Sequence, residues 1–153
     1  MIEVLYTDTD RIREALQITV EDLADERFSK GTLELDLMLD LDDWIPTHAT
    51  IYAAGLGAPT QVQLKQHHLL VAYSTYFCAD QTLHTGPLSM PQNISDGKNT
   101  IERLDDRQRL VEFIAGRMAK YKNLLTEAVT GSAVARGGHL IGVGSAYDPV
   151  TGA

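Results

Sequence analysis

A chain of 153 residues, 44% of them hydrophobic and one of them cysteine, is sized for one domain that buries its own core without disulfide or metal staples. Its formal net charge of −8 argues against a protein whose main task is gripping nucleic acid, because phosphate neutralisation needs clustered Lys and Arg. With no basic, apolar leader and no apolar run near ~18 residues, the expectation is a soluble protein made in a cytoplasm, without signal peptide or membrane span.

The charge is unevenly spread. Residues 1–46 hold thirteen acidic and four basic side chains, net −9, whereas residues 47–153 hold eight and nine, net +1. A solvated acidic face is the simpler account of this asymmetry. The sharper one is a head-to-tail contact in which the acidic surface of one copy meets the more basic surface of the next.

In chain order, the apolar start IEVLY leads to Thr7 or Asp8, either of which caps a short helix through about Leu16. Ile12, Ala15 and Leu16 then face inward, with Asp8 and Asp10 near the positive end of the helix. In ITVEDLADERF, Thr19 followed by Asp22 permits one further helical turn. A DNA-reading helix-turn-helix is disfavoured, because its recognition segment would be LELDLMLDLDD, which sets carboxylates beside phosphates.

Residues 32–45 carry conflicting signals. Leu33, Leu35, Leu37, Leu39 and Leu41 alternate with mostly acidic residues, the period of a strand. The residue types nevertheless favour a helix, since Leu, Glu and Met are good helix formers and β-branched residues are nearly absent. As a helix, Leu33, Leu37, Met38, Leu41, Trp44 and Ile45 cover one face, and Leu35 and Leu39 form a separate stripe. Pro46 ends it, and Thr47 to Ala58 has room for one more turn before the AGLGAP linker.

The longest element expected runs from Pro59 to Gly86. Thr60 and Gln63 form a capping box at its start, and Gly86 with Pro87 stops it. At about 1.5 Å per residue this helix is roughly 36 Å long, comparable to a small domain's diameter. Val62, Leu69, Leu70, Tyr73, Tyr76, Phe77 and Leu83 make one broad apolar face. Leu64, Val71 and Cys78 make a second seam, so two partners are needed, one of them another subunit. Cys78 reads as a small buried hydrophobe rather than a nucleophile.

Pro87 to Leu104 reads as an ordered connector around the turn Ser95-Asp96-Gly97. Asp105 and Gln108 open a last helix to about Val129, with Gly131 beyond it. Leu110, Val111, Phe113, Ile114, Met118, Tyr121, Leu124, Leu125 and Ala128 form its apolar arc, opposite Arg109, Glu112, Gly116, Lys120, Asn123 and Glu127. It is expected to pack antiparallel against the central helix. Residues 131–153 contain six glycines around the apolar run HLIGV, the composition of an arm that is mobile alone and ordered by a partner. The expected fold is therefore mainly α, a small helical bundle (1–130) with two long antiparallel helices and an extended Gly-rich arm (131–153), any strand being confined to the arm.

Catalytic chemistry is hard to find. The adjacent His67 and His68 point about 100° apart on a helix and cannot share a metal; His84 and His139 lack Cys or Glu at ligand spacing. Asp40, Asp42 and Asp43 lack the glycine and distal glutamate of an EF-hand. The glycines of GGHLIGVG are not followed by GK[ST], and Ser95 and Ser145 sit in no nucleophile elbow. No metal, cofactor or catalytic group is expected.

Three features occur together: a helix leading to ITVEDLAD, the segment LELDLMLDLDDWIP, and a central helix followed by PLSMPQNISDGKNTIERL and a long helix with YKNLL. In this order they resemble the small helical head-to-tail connector, or adaptor, proteins of tailed bacteriophages, over roughly residues 8–130. The resemblance implies a non-enzymatic virion protein of the neck, made in the host cytoplasm. It would assemble as a ring, usually of twelve subunits, between the portal protein and the tail or tail-terminator protein. The ring would continue the DNA channel, its acidic wall touching passing DNA non-specifically. Candidate subunit contacts are then Leu35, Leu39, Asp40, Asp42, Leu64 and Val71 against Arg103, Arg107, Arg109 and Lys120. Candidate docking residues for portal or tail are Ser95, Asp96, Gly97, Lys98, Asn99, His139, Leu140, Ile141 and Val143. The alternative is a small helical enzyme with a site assembled from dispersed residues such as His67, His68 and Asp40. An enzyme should hold a closed polar pocket within one subunit, and a connector should expose apolar stripes.

Overall fold

A computed structural model describes residues 1–84 and 97–131, except 22, 26, 27 and 29; for 97–107 it describes the helical backbone alone. Asp8 has extended backbone, and its carboxylate accepts from the Arg11 amide at 2.9 Å, which opens α1 (Thr9–Leu16). Gln17, at φ 58°, closes the helix in the left-handed conformation more often taken by glycine. Ile12, Ala15 and Leu16 are buried as the spacing predicts.

Strand is not confined to the arm. β1 (Glu3–Val4) and β2 (Thr7–Asp8) pair antiparallel, Glu3 opposite Asp8 and Val4 opposite Thr7. Two-residue strands are too short to show a period in sequence. Tertiary contacts fix them instead: Val4 is fully buried, the Leu5 amide donates to Glu34 at 3.2 Å, and the Thr7 and Thr75 hydroxyls bond at 2.7 Å.

Residues Lys30–Trp44 form α2, so residue type prevails over alternation. On a helix every second residue advances about 200°, close to the opposite side. Alternating leucines therefore split into two stripes: Leu33, Leu37 and Leu41 are buried, while Leu35 and Leu39 are 51% and 58% exposed. Met38, expected on the inner face, is also exposed. After Pro46 the chain makes a nine-residue helix, α3 (His48–Leu56), rather than one turn. Packing of His48 and Ile51 into the core extends it. A side chain at Gly55 would collide with the His67 ring, so the glycine is what lets α3 lie so close to the next helix.

That helix, α4 (Gln61–His84), starts on the expected capping box. The Thr60 amide donates to Gln63 Oε1 at 2.9 Å, and the Gln63 amide donates to Thr60 Oγ at 3.3 Å. Its expected stop, Gly86-Pro87, lies outside the described residues. Leu70, Tyr73, Phe77 and Leu83 are buried, but Val62 is exposed because it sits in the first turn, beyond the packed zone. Contacts reach α4 from α1, α2, α3, α5 and β2, so it has more neighbours than the two apolar faces implied.

The last helix, α5 (Gly97–Thr130), begins eight residues before Asp105. The stretch read as connector thus contributes two extra turns; no proline interrupts 97–104, and Glu102, Arg103 and Leu104 are good helix formers. Ile114 and Leu125 are fully buried, Gly131 ends the helix at φ 67°, and Phe113 is unexpectedly 40% exposed. The Gln66 side-chain Nε2 donates to the Ala128 carbonyl at 2.8 Å, and Tyr76 stacks on Tyr121 at 5.5 Å. The fold is mainly helical, as expected.

Candidate functional site

The outward side of α2 is a ridge of Leu35, Met38 and Leu39, continued by the exposed carboxylates of Asp42 and Asp43. Acidic groups at a helix's C-terminal end oppose its macrodipole, and the last turn of α2 has no basic residue. Neighbouring donors offset this. Asp40 Oδ2 accepts from Trp44 Nε1 at 2.9 Å and from the Tyr73 hydroxyl at 2.6 Å. Burial, then the bond to Asp40, raises the Tyr73 pKa far above its ordinary value, so this tyrosine remains a donor. Asp42 Oδ1 lies 2.9 Å from His48 Nε2, and His48 Nδ1 lies 2.6 Å from the Tyr6 hydroxyl. Burial, then Asp42 and Tyr52, raises the Tyr6 pKa. Two of the acids proposed for subunit contact are thus tied into their own protomer, and Asp43 faces outward.

A second surface lies where α1, α4 and α5 meet. An open groove of about 560 Å³ has Ala15, Val71 and Ala72 on its floor and Tyr76 and Phe113 in its wall. Arg11, Glu14, Gln17 and His68 form the rest of its rim. The Arg117 guanidinium lies over the Phe113 ring, 5.2 Å from its centre. Arg109 and Lys120 are exposed on α5. One wall of the groove therefore joins an exposed aromatic ring to a helix rich in basic side chains.

The remaining candidates are dispersed. Leu64 is half-buried and Val71 lines the groove, but Cys78, the third member of that seam, is fully buried. Burial, then Glu34, pushes the Cys78 thiol up to about 12, which makes it inert. Arg103 and Arg107 are placed only as backbone on α5, and Gly97, Lys98 and Asn99 occupy its first turn. Ser95, Asp96, His139, Leu140, Ile141 and Val143 lie outside the described residues. His67 stacks on Tyr52 at 4.8 Å and bonds its carbonyl at 3.1 Å, whereas His68 reaches the groove rim. Asp40 has its own partners, Trp44 and Tyr73, so these three residues serve separate contacts.

Sequence reasoning set Asp43 on a solvated or interfacial helix edge, read Met38 and Phe113 as inward-facing, and did not single out Arg117. The Arg117–Phe113 spacing of four residues on a helix was the available signal for the last two. Among the described residues, no group of three or more His, Cys, Asp or Glu could hold a metal ion, and no helix is long and apolar enough to cross a membrane. Compared with models of known protein families, with curated proteins and with solved structures, the chain matches none.

Proposed function

We propose that this protein is a structural subunit of a ring-shaped connector, placed in a phage neck between the portal and the tail. The observation that carries the reading is the presence of separate exposed apolar surfaces on one small acidic helical body. Leu35, Met38 and Leu39 form one on α2, and Leu56 and Val62, 65% and 62% exposed, form another beside the α3–α4 turn. A ring subunit has neighbours on both sides and partners above and below, so it needs several such surfaces at once.

In this reading the two long helices run antiparallel as the wall of the ring. Support comes from Gln66, near the start of α4, meeting Ala128 near the end of α5, while Tyr76 farther along α4 meets Tyr121 and Phe113. Residues 131–153 form the arm, with His139 to Val143 adding backbone hydrogen bonds to a portal or tail component. The acidic wall lets DNA pass without adhering.

Negative-stain imaging of the purified protein, alone and mixed with portal, tests the assignment. Rings that seat on the portal are expected; a protein that stays monomeric and ignores the portal removes it. Deleting residues 133–153 is expected to leave the helical circular dichroism unchanged and to impair joining of heads to tails.

A further inference from the structure

We infer that the α2 ridge of one copy docks into the α1–α4–α5 groove of a second copy; this rests on the ring-subunit reading and names the contact that would build the ring. Leu35 and Leu39 on the ridge and Phe113 in the groove wall are exposed in the same protomer, so neither surface covers the other. A contact between two different patches of one chain is heterologous, and its repetition closes a ring or extends a filament.

Shape and charge choose these two surfaces for each other. Leu35 and Leu39 stand one turn apart, as an i, i+4 ridge, and such ridges seat in grooves between helices. Ala15, Val71 and Ala72 line the groove with small side chains, which leaves room for leucine tips, and Tyr76 and Phe113 add apolar rings. Along the outer side of α2 the charges after the first turn are acidic, with Asp42 and Asp43 last. On α5, whose Phe113 lines the groove, Arg117 lies over the Phe113 ring, and Arg109 and Lys120, four residues before and seven after Phe113 on the same helical face, are exposed.

Polarity follows from the same residues. Placing the Asp43 end of α2 against Lys120 and Arg117 brings cations to the negative end of a helix that has no basic residue in its last turn. The opposite end, which begins at Lys30, then approaches the α1 side, where Glu14 belongs to the rim. The ridge of each copy is spent on one neighbour and its groove on the other.

Two variants break one surface each: Leu39→Asp on the ridge and Ala72→Phe on the floor of the groove. Sedimentation velocity on the full chain is expected to show each variant as a monomer, with self-association weakened on the order of 100-fold, the range of a central interface contact. Mixed together they are expected to form a heterodimer and stop there, because one intact ridge meets one intact groove. Charge exchange sharpens the polarity. Asp43→Lys and Lys120→Glu should each weaken association about tenfold at low salt, and together restore it. Native circular dichroism of each variant shows that folding is unchanged. If wild type assembles and the variants assemble equally well, or their mixture gives no heterodimer, the ridge–groove contact is wrong and the ring reading survives. If wild type remains monomeric at every concentration, both are wrong.

Discussion

Two acidic regions of the N-terminal half are handled in opposite ways. Around Asp25, the carboxylate meets cations inside the protomer: the terminal ammonium of Met1 at 2.7 Å and the Arg13 guanidinium, with the Thr9 hydroxyl at 2.9 Å. Arg13 is itself buried; its Nε donates to the Leu23 carbonyl at 2.7 Å, and it lies 5.2 Å from the Phe28 ring centre. At the end of α2, Asp40 and Asp42 meet the side chains of Trp44, Tyr73 and His48, and Asp43 faces outward. Charge neutralised locally closes a surface, whereas charge left on the outside keeps it available to another molecule. The first region belongs to stability; on the proposed ring reading, the second belongs to assembly.

The largest effect is expected from breaking the first region. Arg13→Ala removes a buried guanidinium, strands the Leu23 carbonyl and leaves Asp25 without its side-chain cation. Denaturant unfolding should show the largest loss of stability of the substitutions considered, because the Leu23 carbonyl loses its buried donor and the packing of Arg13 over the Phe28 ring is lost. A loss no larger than that of an exposed substitution means Arg13 is not the organising group. Tyr73→Phe comes next. It withdraws one of two donors from the half-buried Asp40 and should cost about 1 kcal/mol, as for one net hydrogen bond.

Acid separates the two regions further. The terminal ammonium, then Arg13 and Thr9, hold the Asp25 carboxyl well below its ordinary 3.8. A carboxyl with a lowered folded pKa binds fewer protons folded than unfolded. Its contribution is therefore complete above about pH 4 and is lost as pH falls through the folded value. Asp25→Asn should flatten that part of the stability–pH profile. An unchanged slope below pH 4 removes Asp25 as its source.

Much of this was legible in the sequence, for identifiable reasons. The Asp8 cap and the Thr60–Gln63 capping box are local, so the residues that make them are neighbours in sequence. The helical nature of α2 followed from residue type, and the split of its leucines followed from helix geometry. What was hidden depends on distant partners. The β1–β2 hairpin exists because Val4 is buried and Leu5 reaches Glu34, and α3 because His48 and Ile51 find a core. The groove was invisible because α1, α4 and α5 are far apart in sequence. Phe113 belonged to a correct apolar arc but lies on its edge, where a 40% exposed ring serves a groove rather than the core.

The smallest expected change in stability belongs to Asp43, and that makes it the sharpest test of the contrast. Asp40 and Asp42 bond within the protomer, so replacing either alters folding and assembly together and cannot separate them. Asp43 is exposed at the end of α2. Asp43→Ala removes one carboxylate from the negative end of that helix, which should leave stability within about 0.5 kcal/mol of wild type or raise it slightly. Self-association at low salt should nevertheless fall, and the difference from wild type should shrink as salt screens the contact over about 10 Å at 0.1 M. Equal association of the two proteins at low salt would make this end of α2 an ordinary solvated edge and return the asymmetry of charge to its simpler explanation.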